Sequence, residues 1–128
     1  KRYGDNLIAK DHIRNPSSDA ALDGDPDTFW SAPAGSHHAI LEVNFPHPVT
    51  FDRSMLMEWL NDGQHVEHYR IEAWDGKGWK RLVEGHAIGH KKIDSFPSTT
   101  TMRVRLNILS SSSETRIREF QLFSRSDR

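Results

Sequence analysis

Alternation between apolar and polar residues at a period of two most limits what this 128-residue chain can fold into. Apolar residues occupy every even position from Met102 to Ile108, and polar residues occupy the odd positions between them. Residues 39–45 repeat the pattern, with Leu41, Val43 and Phe45 on one side. Because successive side chains of a strand point to opposite sides, both segments predict β-strands with one buried face.

Short segments of the same kind, separated by turn signals, account for most of the remaining chain. The Asp75-Gly76-Lys77-Gly78 turn predicts a hairpin between residues 66–73 and 79–83. The only helical feature is a possible short turn near residues 19–22. Many short strands with almost no helix predict an antiparallel β-sandwich, in a single domain over residues 1–128. Further strands are predicted at 49–59, 91–96 and 117–123, and further turns at Phe45-Pro46-His47-Pro48, Asn61-Asp62-Gly63 and Phe96-Pro97-Ser98.

Charge and cysteine content exclude several classes of protein. The 17 Lys and Arg residues nearly balance the 18 Asp and Glu residues, so no broad cationic field is present for binding nucleic acid. Apolar runs of only a few residues argue against a membrane span or a membrane partner. The absence of Cys excludes disulfides and thiolate metal sites. The chain opens at Lys1 with neither an initiator Met nor a signal peptide, so we expect a segment of a longer protein or a mature chain.

The acidic segment from residue 20 to residue 30 is the most informative stretch. Asp23, Asp25 and Asp27 alternate within five positions, and such crowding of carboxylates is costly unless a cation lies among them. The segment is not an EF-hand loop, because Thr28 stands where that loop needs Gly and Ala34 where it needs Glu. Side-chain oxygens of Asp23, Asp25 and Thr28 would suit calcium in a structural role. A solvated acidic turn is the alternative.

The same segment carries a resemblance to a known family. Residues 21–30 resemble the first-loop signature of the coagulation factor 5/8 type C (discoidin) family, which includes the family 32 carbohydrate-binding modules. The resemblance continues through residues 41–45, 49–53, 66–74 and 117–123, so it covers nearly the whole chain. A narrower similarity, to the C-terminal domain of family 29 α-L-fucosidases, extends over residues 49–53, 63–66, 71–76 and 85–93.

This resemblance implies a fold, an ion and a role. The fold is an eight-stranded antiparallel jelly-roll β-sandwich of the galactose-binding-domain type, with a structural calcium ion near one end. The role is that of a non-catalytic accessory domain of a secreted or periplasmic glycoside hydrolase. Asp27 would then be a turn residue or a residue that contacts the ligands, and not itself a ligand. The implied calcium ligands are the Ala20 carbonyl, Asp23, Asp25, Thr28, the Arg118 carbonyl and Glu119.

Sugar recognition combines an aromatic face with directional hydrogen-bonding groups. In similar proteins that bind galactose-type sugars, the site lies in loops at one end of the sandwich. The matching loops here are residues 31–38, 58–64, 85–90 and 109–115. Trp59 leads the candidates because it follows a strand at the edge of a loop, although it could instead pack into the core or on a catalytic neighbour. The predicted sugar-binding residues are Trp59, Gln64, His86 and His90.

Eight His residues raise the question of a zinc site. Neither the adjacent pair His37 and His38 nor the pair His65 and His68, three positions apart, shares a strand face. No His-Glu-x-x-His pattern is present. The histidines are therefore interpreted as polar loop or surface groups. Trp30, Trp74 and Trp79 are interpreted as structural.

The predicted function is that of an accessory domain of an α-L-fucosidase, which binds a galactose- or fucose-type sugar weakly. Its second partner would be the catalytic domain of the same chain. A purely structural brace is the alternative, and an apolar patch around Trp59, Leu60 and Ile88 would favour it. Adhesion to phospholipid or protein needs apolar spikes on neighbouring loops, whereas residues 31–36 and 110–114 are small and polar. Catalysis by the chain itself is not expected, because it has no Gly-x-Ser-x-Gly elbow and its acidic residues cluster in the cation loop or scatter over strands.

Overall fold

The structure, a computed structural model, describes residues 2–61 and 63–126, so the predicted Asn61-Asp62-Gly63 turn lies partly outside the described residues. No helix in this part of the chain is long and apolar enough to cross a membrane. In chain order the elements are β1 (Arg2–Tyr3), α1 (Leu7–Asp11), a 3₁₀ turn (Asp19–Ala21), β2 (Trp30–Ser31), β3 (Ala39–Glu58), β4 (Val66–Trp74), β5 (Trp79–Gly85), β6 (Lys92–Ser111), β7 (Arg116–Phe123) and β8 (Arg125–Ser126).

Six of the strands form one antiparallel sheet in the order β2-β7-β3-β6-β4-β5, and β1 pairs with β8 separately. The two central strands, β3 and β6, are each 20 residues long and pair with one another in three successive registers. β4 pairs with residues 104–111 of β6, whereas β7 pairs with residues 53–58 of β3. One half of the long strand pair therefore carries β4 and β5, and the other half carries β7 and β2. The two halves fold over one core and form the two layers of a sandwich.

One hydrophobic cluster fills the space between the layers. Leu41 and Val104 from one layer, and Leu56 and Phe120 from the other, are at most 1% exposed. Burying each such Leu or Phe side chain contributes about 1.5–3 kcal/mol. The alternating sequence pattern thus supplies the inner face of each layer. The prediction of an all-β antiparallel sandwich is confirmed, with six of its eight strands in the main sheet.

Two predicted turns lie inside strands instead of between them. Phe45-Pro46-His47-Pro48 belongs to β3, at a register shift between Asn44 and Val49. Phe96-Pro97-Ser98 belongs to β6, at the second register shift. Proline donates no ladder hydrogen bond and is tolerated at such irregularities. The local turn signals therefore mark interruptions of the register in long strands, and the four strands predicted on either side of these turns merge into two.

The helix α1 was not predicted, because its five residues are too few to show an apolar stripe. Asn6 caps it, with Oδ1 accepting a hydrogen bond from Ile8 N at 3.2 Å. Ile8 is fully buried in the core. The short turn predicted near residues 19–22 is confirmed as the 3₁₀ turn.

Candidate functional site

The acidic segment forms a tight loop between the 3₁₀ turn and β2. Two carboxylates shape it by binding main-chain N–H groups: Asp23 Oδ1 accepts from Asp25 N, and Asp25 Oδ1 accepts from Asp27 N, each at 2.9 Å. Gly24 has the φ of +78° that L side chains rarely adopt. Asp27 is exposed and contributes its main chain to this turn.

Oxygen atoms converge on the hydroxyl of Thr28. Its Oγ1 lies 2.9 Å from the Ala20 carbonyl oxygen, 2.9 Å from Asp23 Oδ2 and 3.0 Å from the Asp25 carbonyl oxygen. Because a hydroxyl has one proton to donate, it cannot serve all three acceptors at once. A set of hydroxyl, carbonyl and carboxylate oxygens is the kind of donor set that a hard cation takes.

The carboxylate of Glu119, on β7, adjoins this set. Glu119 is fully buried, and its Oε1 accepts from Gln121 Nε2 at 3.0 Å, whereas Oε2 is buried without a hydrogen-bond partner. Burial, reinforced by the neighbouring Asp23 carboxyl group, raises the pKa of Glu119 to about 8. Two adjacent carboxylates, one of them buried, are unfavourable unless a proton or a cation neutralises them. We name the oxygens of Ala20, Asp23, Asp25, Thr28 and Glu119 the oxygen cluster.

Arg118 lies at a bulge beside the oxygen cluster. The register of β7 against β3 shifts between Ile117 and Glu119, which leaves Arg118 as the extra residue. Its Nε donates to the Pro26 carbonyl oxygen at 2.7 Å, so its side chain ties the acidic loop to β7. The role of the Arg118 carbonyl as a ligand stays a prediction.

The structure brings most of the predicted calcium ligands together. The Asp25 oxygen in contact with Thr28 Oγ1 is its carbonyl oxygen, whereas its carboxylate Oδ1 accepts from Asp27 N. No group of three or more His, Asp or Glu side chains that could hold a metal occurs among residues 2–61 and 63–126. Two of the three oxygens in contact with Thr28 Oγ1 are main-chain carbonyl oxygens.

Four loops meet at one end of the sandwich, which we name the loop end. Main-chain hydrogen bonds join residue 32 to residue 115, residue 112 to residue 65, and residue 58 to residue 89, at 2.8–3.0 Å. Side chains add further links, since His37 Nδ1 lies 2.7 Å from the Ser111 carbonyl oxygen and Glu114 Oε2 accepts from Gly35 N at 3.0 Å. The four loops in which the sugar site is predicted are thus neighbours in space.

Trp59 is half-buried at the start of its loop, and its ring contacts residues in and beside the acidic loop. The centroid of its ring lies 4.4 Å from that of Phe29, with the planes tilted by 30°. The guanidinium carbon of Arg118 lies 5.6 Å from the Trp59 ring centroid. The predicted stacking aromatic therefore packs partly against its own domain, between the oxygen cluster and the loop end.

Gln64, His86 and His90 are exposed on two neighbouring loops. Gln64 Oε1 lies 3.0 Å from the position that a Cβ would take on Gly89. Gln64 therefore lies against the loop that carries both histidines, and the structure brings these three predicted residues to one side of the loop end.

The ring of His86 stacks on that of His68, with 5.0 Å between centroids and 13° between planes. His68 Nε2 hydrogen-bonds to the carboxylate of Glu84, which also accepts from Arg70 Nε at 3.2 Å and Arg81 Nη1 at 2.8 Å. The bonds from His68 and Arg81 lower the pKa of Glu84 to about 2. Glu84, ionised at neutral pH, thus holds the imidazole of His68 against which the His86 ring packs.

Comparison with known proteins identifies the family. The profile described as F5/8 type C domain matches residues 9–120 of this chain. The chain belongs to the F5/8 type C domain family. Domains of this family are non-catalytic binding modules, which agrees with the prediction that the chain is not itself an enzyme.

Relatives of this F5/8 type C domain include proteins designated α-L-fucosidases. One from rice (Oryza sativa subsp. japonica) is 25% identical over 97 residues, which are 76% of this chain and 19% of the rice protein. A solved structure from Bacteroides thetaiotaomicron, also designated an α-L-fucosidase, matches with a TM-score of 0.85 at 24% identity. The match covers 96% of this chain and 29% of that protein, so the chain spans less than a third of either relative.

The same fold occurs in carbohydrate-binding modules. The structure of the CBM32-1 and CBM32-2 domains of Clostridium perfringens ZmpB matches this F5/8 type C domain with a TM-score of 0.76 at 21% identity, over 97% of this chain and 36% of that one. The predicted resemblance to discoidin domains, to family 32 modules and to fucosidase-associated domains is confirmed.

Two residues that organise the candidate sites of this F5/8 type C domain were not predicted. Glu58 follows Ser54 and Leu56 at the buried positions of β3. A carboxylate at an inward strand position is itself a signal, because a buried charge needs hydrogen-bond donors. Phe29 contacts Trp59 across thirty positions of sequence, and no local pattern predicts that contact.

Proposed function

We propose that this domain is an accessory module of an α-L-fucosidase, which binds a galactose- or fucose-type sugar weakly through the loop end. The observation that carries the proposal is the loop end itself, where the hydrogen bond between residues 58 and 89 joins the loop of half-buried Trp59 and exposed Gln64 to the loop of exposed His86 and His90. An aromatic ring combined with amide and imidazole groups suits the apolar face and the hydroxyl groups of a pyranose. The fucosidase relatives and the carbohydrate-binding modules with this fold support the assignment.

We further propose that the oxygen cluster binds calcium. The buried, unpartnered Oε2 of Glu119 and the three acceptors around one Thr28 hydroxyl fit a cation, and an all-oxygen set suits calcium better than zinc. The ion would supply the positive charge that the carboxylates of Asp23 and Glu119 lack. Its role would be structural, holding the acidic loop on β7.

The parent protein is proposed to be a secreted or periplasmic glycoside hydrolase, with its catalytic domain as the second partner of this module. A purely structural brace between domains is the second candidate function. The patch expected to favour it is not formed, because Ile88 is buried and Trp59 packs on Phe29. What does favour it is an open groove of about 670 Å³, whose lining combines apolar residues such as Ile13, Trp74 and Met102 with an equal number of polar ones.

A titration with simple sugars tests the binding function. The domain in calcium buffer is titrated with fucose, galactose, N-acetylglucosamine and N-acetyllactosamine, and backbone amide NMR shifts are followed. We expect shifts confined to the loop end, with a dissociation constant on the order of millimolar to high micromolar.

Two tryptophan variants locate the response. Trp59→Ala should abolish the shifts, whereas Trp74→Ala, which removes a Trp from the ~670 Å³ groove, should leave them unchanged. Absence of shifts at high millimolar sugar would reject the binding function for these ligands and leave the brace as the better account.

A further inference from the structure

We infer that Glu58 is the positioning residue of the loop end. Its buried carboxylate joins the loop that carries Trp59 and Gln64 to the loop that carries His86 and His90. The inference rests on the proposed glycan-binding function, because positioning matters only if these side chains recognise a ligand. Glu58 itself is 1% exposed and would not touch the sugar.

The carboxylate of Glu58 accepts three main-chain hydrogen bonds, two from the junction of its own loop with β4 and one from the loop that carries the histidines. Oε2 accepts from His65 N at 2.7 Å and from Val66 N at 3.0 Å. Oε1 accepts from Gly89 N at 3.3 Å, and the main-chain N of Glu58 donates to the Gly89 carbonyl oxygen at 3.0 Å. One residue at the end of β3 thus hydrogen-bonds to the main chain on both sides of the contact between the two loops.

The main-chain groups held by Glu58 adjoin the predicted sugar-binding residues. Trp59 follows Glu58 directly, Gln64 precedes His65, and His90 follows Gly89. The N–H of His65 belongs to the planar peptide unit that begins at the Cα of Gln64, so fixing this N–H fixes that plane and the place from which the Gln64 side chain starts. The same carboxylate therefore sets the relative placement of three of the four candidates.

A carboxylate is needed here because both of its oxygens accept. A glutamine has a similar shape but only one acceptor oxygen, and its NH₂ group would face an N–H of one of the two loops. An uncharged, apolar residue would pack at this inward position as Leu56 does, but it would leave three main-chain donors unsatisfied. Close approach of the loops also accounts for Gly89, whose φ is +66° and whose Cβ, if present, would lie 3.0 Å from Gln64 Oε1.

The test compares Glu58→Gln with Glu72→Gln, a matched loss of charge at a buried glutamate of β4 that pairs with Arg105. Amide hydrogen exchange is measured without sugar, and sugar affinity is measured by NMR titration. In Glu58→Gln the NH₂ group faces either Gly89 N or the N–H groups of His65 and Val66. Amide exchange on the side that it faces should accelerate about tenfold or more, as for one lost hydrogen bond. Sugar affinity should fall about tenfold, while the unfolding midpoint changes no more than in Glu72→Gln.

Each outcome decides between distinct readings. Unchanged exchange and affinity in Glu58→Gln, or equal losses of affinity in both variants, would overturn the positioning role. If the wild-type domain binds none of the sugars, the proposed function fails, yet the exchange rates still decide whether Glu58 joins the loops. If Glu58→Gln does not fold, Glu58→Asp is measured in its place, and amide exchange is also measured in the wild type. Rapid exchange of the His65, Val66 and Gly89 amides in the wild type would overturn the inference.

Discussion

The oxygen cluster and the loop end differ in how far apart along the chain their residues lie. The cluster is formed by four residues between positions 20 and 28, to which β7 adds Glu119. The loop end is assembled from four segments spread between residues 32 and 115. A local loop is shaped mainly by its own hydrogen bonds, whereas the loop end exists only once the sandwich has closed. We therefore expect the cluster to respond to charge and protonation, and the loop end to respond to packing between segments.

The sharpest test of this contrast is the pH dependence of stability without calcium. The pKa of Glu119 is about 8 in the folded chain, against an ordinary value of 4.5. Between these values the folded state holds a proton that the unfolded state releases, so the stabilisation is present below pH 4.5 and is lost as the pH rises through 8. The expected loss in the free energy of unfolding is on the order of 5 kcal/mol.

Urea denaturation in EDTA at several pH values between about 5 and 9 measures most of this loss. Glu119→Gln cannot release the proton and should remove most of the slope, which assigns the slope to this carboxyl group and not to another ionisable group. A slope that persists in Glu119→Gln would show that the oxygen cluster does not govern the pH response.

Calcium should reverse that instability, with a somewhat smaller effect. Binding to the folded state alone stabilises by about 2.7 kcal/mol when the free ion is 100-fold above its dissociation constant. Asp27→Asn, in the same loop, should keep the full effect because only the main chain of Asp27 shapes the turn. Thermal unfolding with calcium and with EDTA measures the difference. Equal stabilisation of Glu119→Gln by calcium would place the ion elsewhere.

The same contrast explains what could be predicted from the sequence. Asp23, Asp25 and Thr28 are close in sequence, so a shared role as cation ligands can be proposed from spacing and chemistry alone. Glu119 entered only through the family resemblance, because its approach to Asp23 depends on the position of β7 in the sheet. The strands were predictable from alternation, but Pro46 and Pro48 indicated a turn. Long-range pairing of β3 with β6 overrides that local preference.

The sequence predicts which loops form the loop end, but it does not predict which side chains contact one another there. Trp59 could be proposed from its place after a strand, but its contact with Phe29 depends on how the acidic loop packs beside β7. Glu58 lies at the inward positions of β3, and its three donors come from two loops up to 31 positions away. Tertiary contacts of this kind follow from closure of the sandwich and have no local pattern.

The smallest expected effect tests whether the two regions are independent. Phe29 belongs to the acidic loop and Trp59 to the loop end, and their rings are 4.4 Å apart. Such an aromatic pair contributes about 0.5–1.5 kcal/mol beyond the area that it buries. A double-mutant cycle in the free energy of unfolding, with Phe29→Leu and Trp59→Leu, should give a coupling energy in this range.

Repeating the cycle with calcium and in EDTA decides the matter. If the ion holds the acidic loop in place, the coupling between Phe29 and Trp59 should shrink when calcium is removed. The pair of Trp74 and Trp79, 5.5 Å apart on the β4–β5 hairpin, is the matched control, and its coupling should not depend on calcium. A Phe29–Trp59 coupling that is the same in both buffers would show that the acidic loop keeps its packing without the ion, so that calcium stabilises the fold without reaching the loop end.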